Sequence, residues 1–251
     1  MRDLDLEYTY QLEERFWWFR GMRRVAWSWL GKLGPTRILD AGCGTGFHLH
    51  WLADRWPRAR VQGMDLSETA LRFAGSRGAV PLVRASVTGL PFAPGSFDLV
   101  TSFDVISQVP TEAVPKALSE FWYVLRPGGH LFVRVPAVPW LCSSHDEELQ
   151  THTRFSLAQL TGMMQLAGFD VLHRSYVNCL LFPIVAARRL LKRVGLFSGS
   201  DVRPLPPILA FLDSWLLAAL KLEAALLAGE GARLPYGLSI HMLAQKTASR
   251  M

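Results

Sequence analysis

The 251-residue chain has little of what would place it in several large classes of protein. Its three cysteines, Cys43, Cys142 and Cys179, are odd in number and share no zinc-type spacing with one another or with the seven histidines. The expectation is a reducing compartment and no metal. No run of eighteen or so apolar residues occurs, since the longest candidate, Leu205 to Leu220, is interrupted by Asp213, and a transmembrane helix is not expected. The amino terminus, Met1-Arg2-Asp3-Leu4-Asp5-Leu6-Glu7, carries acids where a signal peptide has its basic and apolar regions, which points to the cytoplasm. The charge of +6 is not concentrated: outside Arg188, Arg189, Lys192 and Arg193 the basic residues are scattered. Nucleic acid is therefore not indicated as a partner.

Half of the residues are hydrophobic, enough for one sizeable core with an insertion. The most informative stretch is Arg37 to Leu49. A short apolar run ends in Asp40-Ala41-Gly42-Cys43-Gly44-Thr45-Gly46 and passes at once into a helical pattern at Phe47, Leu49 and Leu52, so the segment is read as strand, glycine turn, helix. Glycines at alternate positions allow a sharp turn and let a ligand approach main-chain N–H groups at a helix N-terminus. The third glycine of a dinucleotide fingerprint would fall at Phe47, which opposes a nicotinamide cofactor. About twenty residues on, a second strand ends at Asp65, placed to accept ribose hydroxyls or to cap the helix beginning near Ser67.

The G-x-G-x-G spacing with Asp40 resembles motif I of the class I S-adenosylmethionine-dependent methyltransferases. Three further segments resemble the same family in order: Ser86-Val87-Thr88-Gly89-Leu90-Pro91-Phe92, Ser96-Phe97-Asp98-Leu99-Val100 and Leu125-Arg126-Pro127-Gly128-Gly129-His130-Leu131. The resemblance covers residues 37 to 136. Two departures stand out. Ser86 occupies the place of the usual acid at the adenine, where a neutral oxygen is the weaker acceptor. Ser107-Gln108 replaces the family's frequent Glu-His, which removes one candidate base. The resemblance implies an S-adenosyl-L-methionine site formed by Trp18, Arg20, Asp40, Gly42, Cys43, Gly44, Gly46, Asp65, Leu66, Ser86, Val87, Phe103 and Gln108.

Strands alternating with helices imply right-handed crossovers. The expected fold is α/β: a Rossmann-like doubly wound, mostly parallel seven-stranded sheet with an antiparallel last strand. The predicted strands are a first one from Arg37 ending at Asp40, then Ala59–Asp65, Ala79–Ala85, Ser96–Phe103, His130–Val135, Phe169–Tyr176 and Leu238–Lys246. The chain is expected to form one domain: an amino-terminal helical lid (1–34), a core (35–177 and 236–247) and a helical insertion (178–235). The amino-terminal helices should break near Gly21. Their Phe16-Trp17-Trp18-Phe19 cluster either packs them onto the domain or covers the cofactor, with Arg20 paired to the methionine carboxylate. Two helices, Leu180–Val194 and Ile208–Ala228, fill the insertion; they serve as core, as an acceptor pocket, or as a membrane-surface face through residues 180–228.

For catalysis the loop after strand five offers His145 beside Asp146, and His152. A histidine with a pKa of about 6.5 can take a proton from a hydroxyl at neutral pH; the alternative is a solvated turn with Asp146 capping the next helix. The resembled subgroup repeats a Ser-x-His-Asp and a His-x-Arg-aromatic element here, which favours a substrate-facing role. The expected activity is methyl transfer to an apolar small-molecule or lipid-like acceptor, at oxygen. Carbon or nitrogen methylation and a non-catalytic S-adenosyl-binding module are the alternatives.

Overall fold

The computed structural model describes residues 3–139, 152–193, 212–229 and 231–247. Two helices, α1 (Asp3–Leu12) and α2 (Trp17–Leu30), precede the sheet. The core then runs β1 (Arg37–Ala41), α3 (Phe47–Arg55), β2 (Arg60–Asp65), α4 (Glu68–Arg77), β3 (Leu82–Arg84) and β4 (Phe97–Phe103). A 3₁₀ turn at Thr111–Ala113 leads into α5 (Val114–Val124) and β5 (Leu125–Pro136). After the loop come α6 (Leu157–Leu166), β6 (Phe169–Val177), α7 (Phe182–Arg193), α8 (Leu212–Leu227) and β7 (Ser239–Lys246).

The seven strands form one sheet in the order β3-β2-β1-β4-β5-β7-β6, with β7 antiparallel to both of its neighbours. The expected fold class is thus the one observed. The order reverses direction between β1 and β4, so the carboxyl ends of these two strands flank the crevice where open α/β sheets bind ligands. Alternation along the strands builds two cores. Leu39, Val100, Leu131 and Val133 face α5 and α6 through Leu118, Phe121, Leu160 and Met164. Ile38, Leu99, Phe103 and Phe132 face α2, α3 and α8 through Val25, Trp29, Leu49 and Leu220.

Three elements differ from the sequence-based expectation. The third strand is only Leu82–Arg84, because it is an edge strand registered against no more than Gly63–Asp65. The fifth strand begins at Leu125, which pairs with Phe97; the register then shifts across Arg126–Gly129 and pairing resumes with His130 opposite Leu99. The break in the amino-terminal helices falls between Leu12 and Trp17, not at Gly21. Gly21 lies inside α2 where Leu220 of α8 crosses; a Cβ there would sit 2.3 Å from Leu220 Cδ1. The glycine serves helix contact rather than termination.

Helix α8 is locked to α2 at its last turn, whose carbonyls lack intrahelical partners. Trp29 Nε1 donates to Leu227 O at 2.8 Å and Lys32 Nζ to Ala228 O at 2.7 Å. From its buried middle, the Glu223 carboxylate accepts the N–H groups of Asn178 and Leu180, both at 2.7 Å, fixing the exit of β6. One face of α8 is therefore core. The opposite face exposes Trp215, Leu222 and Leu226. No helix among the described residues is long and apolar enough to cross a membrane, and no group of metal-ligating side chains occurs among them.

Candidate cofactor and acceptor site

The glycine turn is drawn tight against the end of β2. Gly42 and Cys43 both donate N–H to Met64 O at 2.8 Å, and Gly46 N–H bonds Cys43 O at 2.9 Å. Gly42, Gly44 and Gly46 have φ of +84°, +54° and +85°, which an L side chain rarely adopts. Their surroundings separate their roles. A Cβ on Gly42 would meet Val105 at 2.2 Å, and one on Gly46 would meet Ala74 Cα at 2.7 Å, whereas nothing lies within 4 Å of one on Gly44. Gly44 is the open point of the turn. The Cys43 thiol is buried and its pKa is pushed up by burial, then by Asp40 and Asp65, so it is neither ionised nor a nucleophile.

Asp65 ends β2 with one oxygen on Gly44 N–H (2.8 Å) and the other on Ser67 N–H (2.9 Å). Both sequence-based roles meet here: Asp65 orders the start of α4, whose N-cap is Ser67, and stands against the glycine turn. Each carboxylate oxygen keeps a second lone pair for a ribose hydroxyl. Leu66 is 64% exposed beside it. Ser86 is half-buried and accepts Thr88 N–H at 3.2 Å, while Val87 next to it is buried. Phe103 is buried at the end of β4, with His48 stacked on it at 4.2 Å. Burial, then the nearby Arg134 and Arg23, hold His48 well below the usual imidazole pKa, so it is neutral. Gln108 closes the turn after β4 through its N–H to Val105 O.

Asp40 is the most perturbed acid at this edge. It is 1% exposed, its Oδ1 accepts one bond, from Thr101 Oγ1 at 2.7 Å, and its Oδ2 has no partner. Burial, only partly offset by Thr101 and reinforced by Asp65, raises its pKa from 3.8 to about 7.

The amino-terminal helices reach this turn, though through residues other than those expected. Arg20 is exposed. Arg23, one turn on, is buried: its Nη1 donates to Glu13 O at 2.8 Å and its Cζ lies 4.1 Å from the Phe47 ring centroid. Burial lowers its pKa to about 10 despite the charge of Glu13. Glu13 bonds Thr45 Oγ1 and accepts Arg77 Nη2 at 2.7 Å, and Arg77 Nε donates to Thr45 O at 2.9 Å. This Glu13-Thr45-Arg77 clasp closes α1 over the glycine turn. Trp18 is half-buried, its ring 5.2 Å from Arg134 Cζ.

On the β4 and β5 side, Asp104 takes φ +62° and accepts both Nε and Nη2 of Arg134 on Oδ2, at 2.8 and 2.7 Å. The chain returns from the following loop to this place: His152 and Thr153 donate N–H to Ser107 O at 2.8 and 3.1 Å. His152 is exposed at this rim. His145 and Asp146 lie outside the described residues. Sequence reasoning missed Glu13, Arg23, Arg77 and Arg134. Only Arg134 carried a local signal, as a lone charge within the apolar run Leu131 to Val135.

The residues present fit S-adenosylmethionine: an open glycine, a second acid with free lone pairs at the ribose distance along the chain, an apolar Leu66 and Val87 for a base, and a buried carboxylate oxygen without a donor. Sheet order, glycine turn and acid pair together define the class I S-adenosylmethionine-dependent methyltransferases, a class of enzymes. Residues 38–129 match the methyltransferase domain family. The chain is 32% identical over 163 residues to a probable S-adenosylmethionine-dependent methyltransferase of Mycolicibacterium smegmatis, covering 64% of this chain and 62% of that protein. It is 48% identical over 79 residues to the malonyl-[acyl-carrier protein] O-methyltransferase of Legionella pneumophila, 30% of this chain and 28% of that one. Among solved structures, phosphoethanolamine N-methyltransferase 2 of Haemonchus contortus superposes with a TM-score of 0.64 at 20% identity, over 98% of this chain and 58% of that one. Residues 38–129 thus carry the methyltransferase domain, and the sheet as a whole has the class I methyltransferase fold. The chain spans less than two thirds of the length of the curated relatives it matches.

Proposed function

We propose that the protein transfers a methyl group from S-adenosylmethionine to an apolar small-molecule or lipid-like acceptor, at oxygen. The observation that carries the cofactor half is the Gly42–Gly46 turn bound to Asp65 and backed by the buried, half-satisfied Asp40. Asp65 holds the ribose, Leu66, Ser86 and Val87 border the adenine, and Asp40 Oδ2 receives the cofactor's ammonium. Phe103, Gln108 and Trp18 line the path to the acceptor, with Arg20 at its solvent edge. When bound, the cofactor supplies a sulfonium methyl that passes to a nucleophile in a single displacement. Alignment of the two reactants is worth about 7–11 kcal/mol at best, so few catalytic side chains are needed.

The acceptor half rests on the rim beyond β4 and β5. Oxygen as the methylated atom agrees with the Legionella relative, whose name is that of an O-methyltransferase. An apolar acceptor agrees with the exposed Ile184, Trp215, Leu222 and Leu226 of α7 and α8, which also favour peripheral contact with a lipid surface through residues 180–228. His152 stands at the rim, anchored through Ser107, and with His145 and Asp146 it supplies a base for a hydroxyl acceptor. Calorimetric titration with S-adenosylmethionine and with NAD tests the cofactor, and NAD binding in place of S-adenosylmethionine would overturn the reading. Transfer of labelled methyl to a panel of phenolic and lipid acceptors then tests the activity. His145→Ala and His152→Ala should each lower turnover without changing cofactor affinity; full turnover with an unchanged pH profile in both would leave positioning as the whole of catalysis.

A further inference from the structure

Arg134 does more in the structure than the function so far requires. It is 3% exposed, the single charge in the apolar run Leu131 to Val135, and it projects on the face shared with Phe103 and Phe132. Asp104 accepts two of its nitrogens, both on the one oxygen Oδ2. The third nitrogen, Nη1, is buried and has no partner. The rings of Trp18 and Phe103 lie 5.2 Å from its Cζ. The other charged group that it feels from α2, Arg23, is a cation, and the imidazoles near it, His48 and His241, are held neutral by burial first and by Arg134 next. Among the described residues only Asp104 pairs with it. A desolvated guanidinium with an unused donor is costly unless a ligand completes it.

We propose that Arg134 is the carboxylate seat of the site, with Nη1 donating to a carboxylate group of a bound ligand. The proposal rests on the methyltransferase reading for the place of the ligand. One partnerless nitrogen beside two aromatic rings suits a planar monoanion; a phosphate dianion would call for further donors. Two sources carry this chemistry, the α-carboxylate of the cofactor's methionyl part and a carboxylate on the acceptor. Asp40 Oδ2, a second charged atom without a partner among the described residues, is electrostatically coupled to Arg134. An α-ammonium on Asp40 and an α-carboxylate on Arg134 would satisfy both with one amino-acid group.

The test measures binding by calorimetry in the wild type, Arg134→Gln and Arg134→Lys. The probes are S-adenosylhomocysteine, 5′-methylthioadenosine, which has the adenosyl group without the amino acid, and octanoate against octanol on the S-adenosylhomocysteine-loaded protein. If the seat takes the methionyl carboxylate, Arg134→Gln weakens S-adenosylhomocysteine at least tenfold and leaves methylthioadenosine within twofold. If it takes an acceptor carboxylate, S-adenosylhomocysteine is unchanged and the preference for octanoate over octanol disappears. Either result supports the seat. Unchanged affinities for both carboxylate probes in a folded Arg134→Gln overturn it. Should that variant fail to fold, wild-type affinities for both in a folded Arg134→Lys, which keeps the charge and removes Nη1, overturn it equally. A wild type that binds neither adenosyl probe would instead sink the methyltransferase reading.

Discussion

Two buried aspartates at opposite ends of the sheet show how this molecule divides stability from binding. Asp98, at the amino end of β4, is 5% exposed and takes bonds from Thr36 N, Thr36 Oγ1 and Arg37 N, between 2.7 and 3.1 Å. Burial alone would raise its pKa, but these donors more than offset it and hold it below the usual carboxylate range. Asp40, near the carboxyl end of the neighbouring β1, lies deeper, has one donor, and is raised to about 7. The shifts are opposite because Asp98 has three donors and Arg126 nearby, whereas burial weighs more on Asp40, which has one donor and feels the charge of Asp65. The amino end is internally complete; the carboxyl end is left wanting.

A groove of about 650 Å³ at the amino end, between Arg37, Arg60, Pro81 and Phe97, follows this division without marking the chemistry. Its neighbouring buried acid, Asp98, is fully bonded, and none of the residues with unmet bonds or strained turns borders it. Among the described residues, Asp40 Oδ2 and Arg134 Nη1, both without partners, lie at the carboxyl edge.

The comparison breaks most visibly on stability. Asp98→Ala should cost about 3 kcal/mol in urea unfolding, since two N–H groups and a hydroxyl lose their acceptor. Asp40→Asn should cost under about 1 kcal/mol, because its Oδ2 bonds nothing in the free protein. Equal losses would erase the distinction. Next in size is ligand affinity: Asp65→Ala should weaken S-adenosylhomocysteine about 10- to 100-fold, through a lost ribose acceptor and a Gly44 N–H set free, worth about 1–3 kcal/mol. A change under twofold by calorimetry would remove Asp65 from the site.

Acidity sharpens the same contrast. Asp98 has its folded pKa depressed, so its contribution is present above pH 3.8 and is lost as pH falls through the lower folded value. Asp40 has its folded pKa raised, so the folded state binds the extra proton between pH 3.8 and about 7, and its share of stability declines as pH rises through that window. Thermal melts from pH 5 to 8 should show that decline, and Asp40→Asn should flatten it. Affinity for S-adenosylhomocysteine should move the other way, rising through about pH 7 as Asp40 ionises to meet the ammonium. A flat profile would show that Asp40 is not its partner. The smallest effect is expected at Ser86, whose hydroxyl already bonds the Thr88 hydroxyl and N–H. Ser86→Ala should weaken S-adenosylhomocysteine less than threefold, and a tenfold loss would make it the family acid's full replacement.

Much of the cofactor half was legible because its signals are local. Strand, glycine turn and helix lie within Arg37 to Arg55, and Asp65 follows at the end of the next strand, so alternation and spacing suffice to place them. The departures came from partners distant in sequence. Gly21 looked like a helix break, but its meaning depends on Leu220 crossing above it. Within its segment nothing distinguishes Arg20 from Arg23, yet the fold buries Arg23 and leaves Arg20 exposed.

By itself the sequence determined the order of strands and helices, the glycine turn through 42, 44 and 46, and the acids at or near the ends of β1 and β2. Those follow from backbone sterics and apolar periodicity, which act over a few residues. Tertiary structure alone decided which charges are satisfied. Arg134 meets Asp104 across 30 residues, Thr45 meets Glu13 across 32, and Trp29 reaches Leu227 across 198. Burial and hydrogen bonding are properties of the packed chain, so the difference between Asp98 and Asp40 exists only once the sheet has formed.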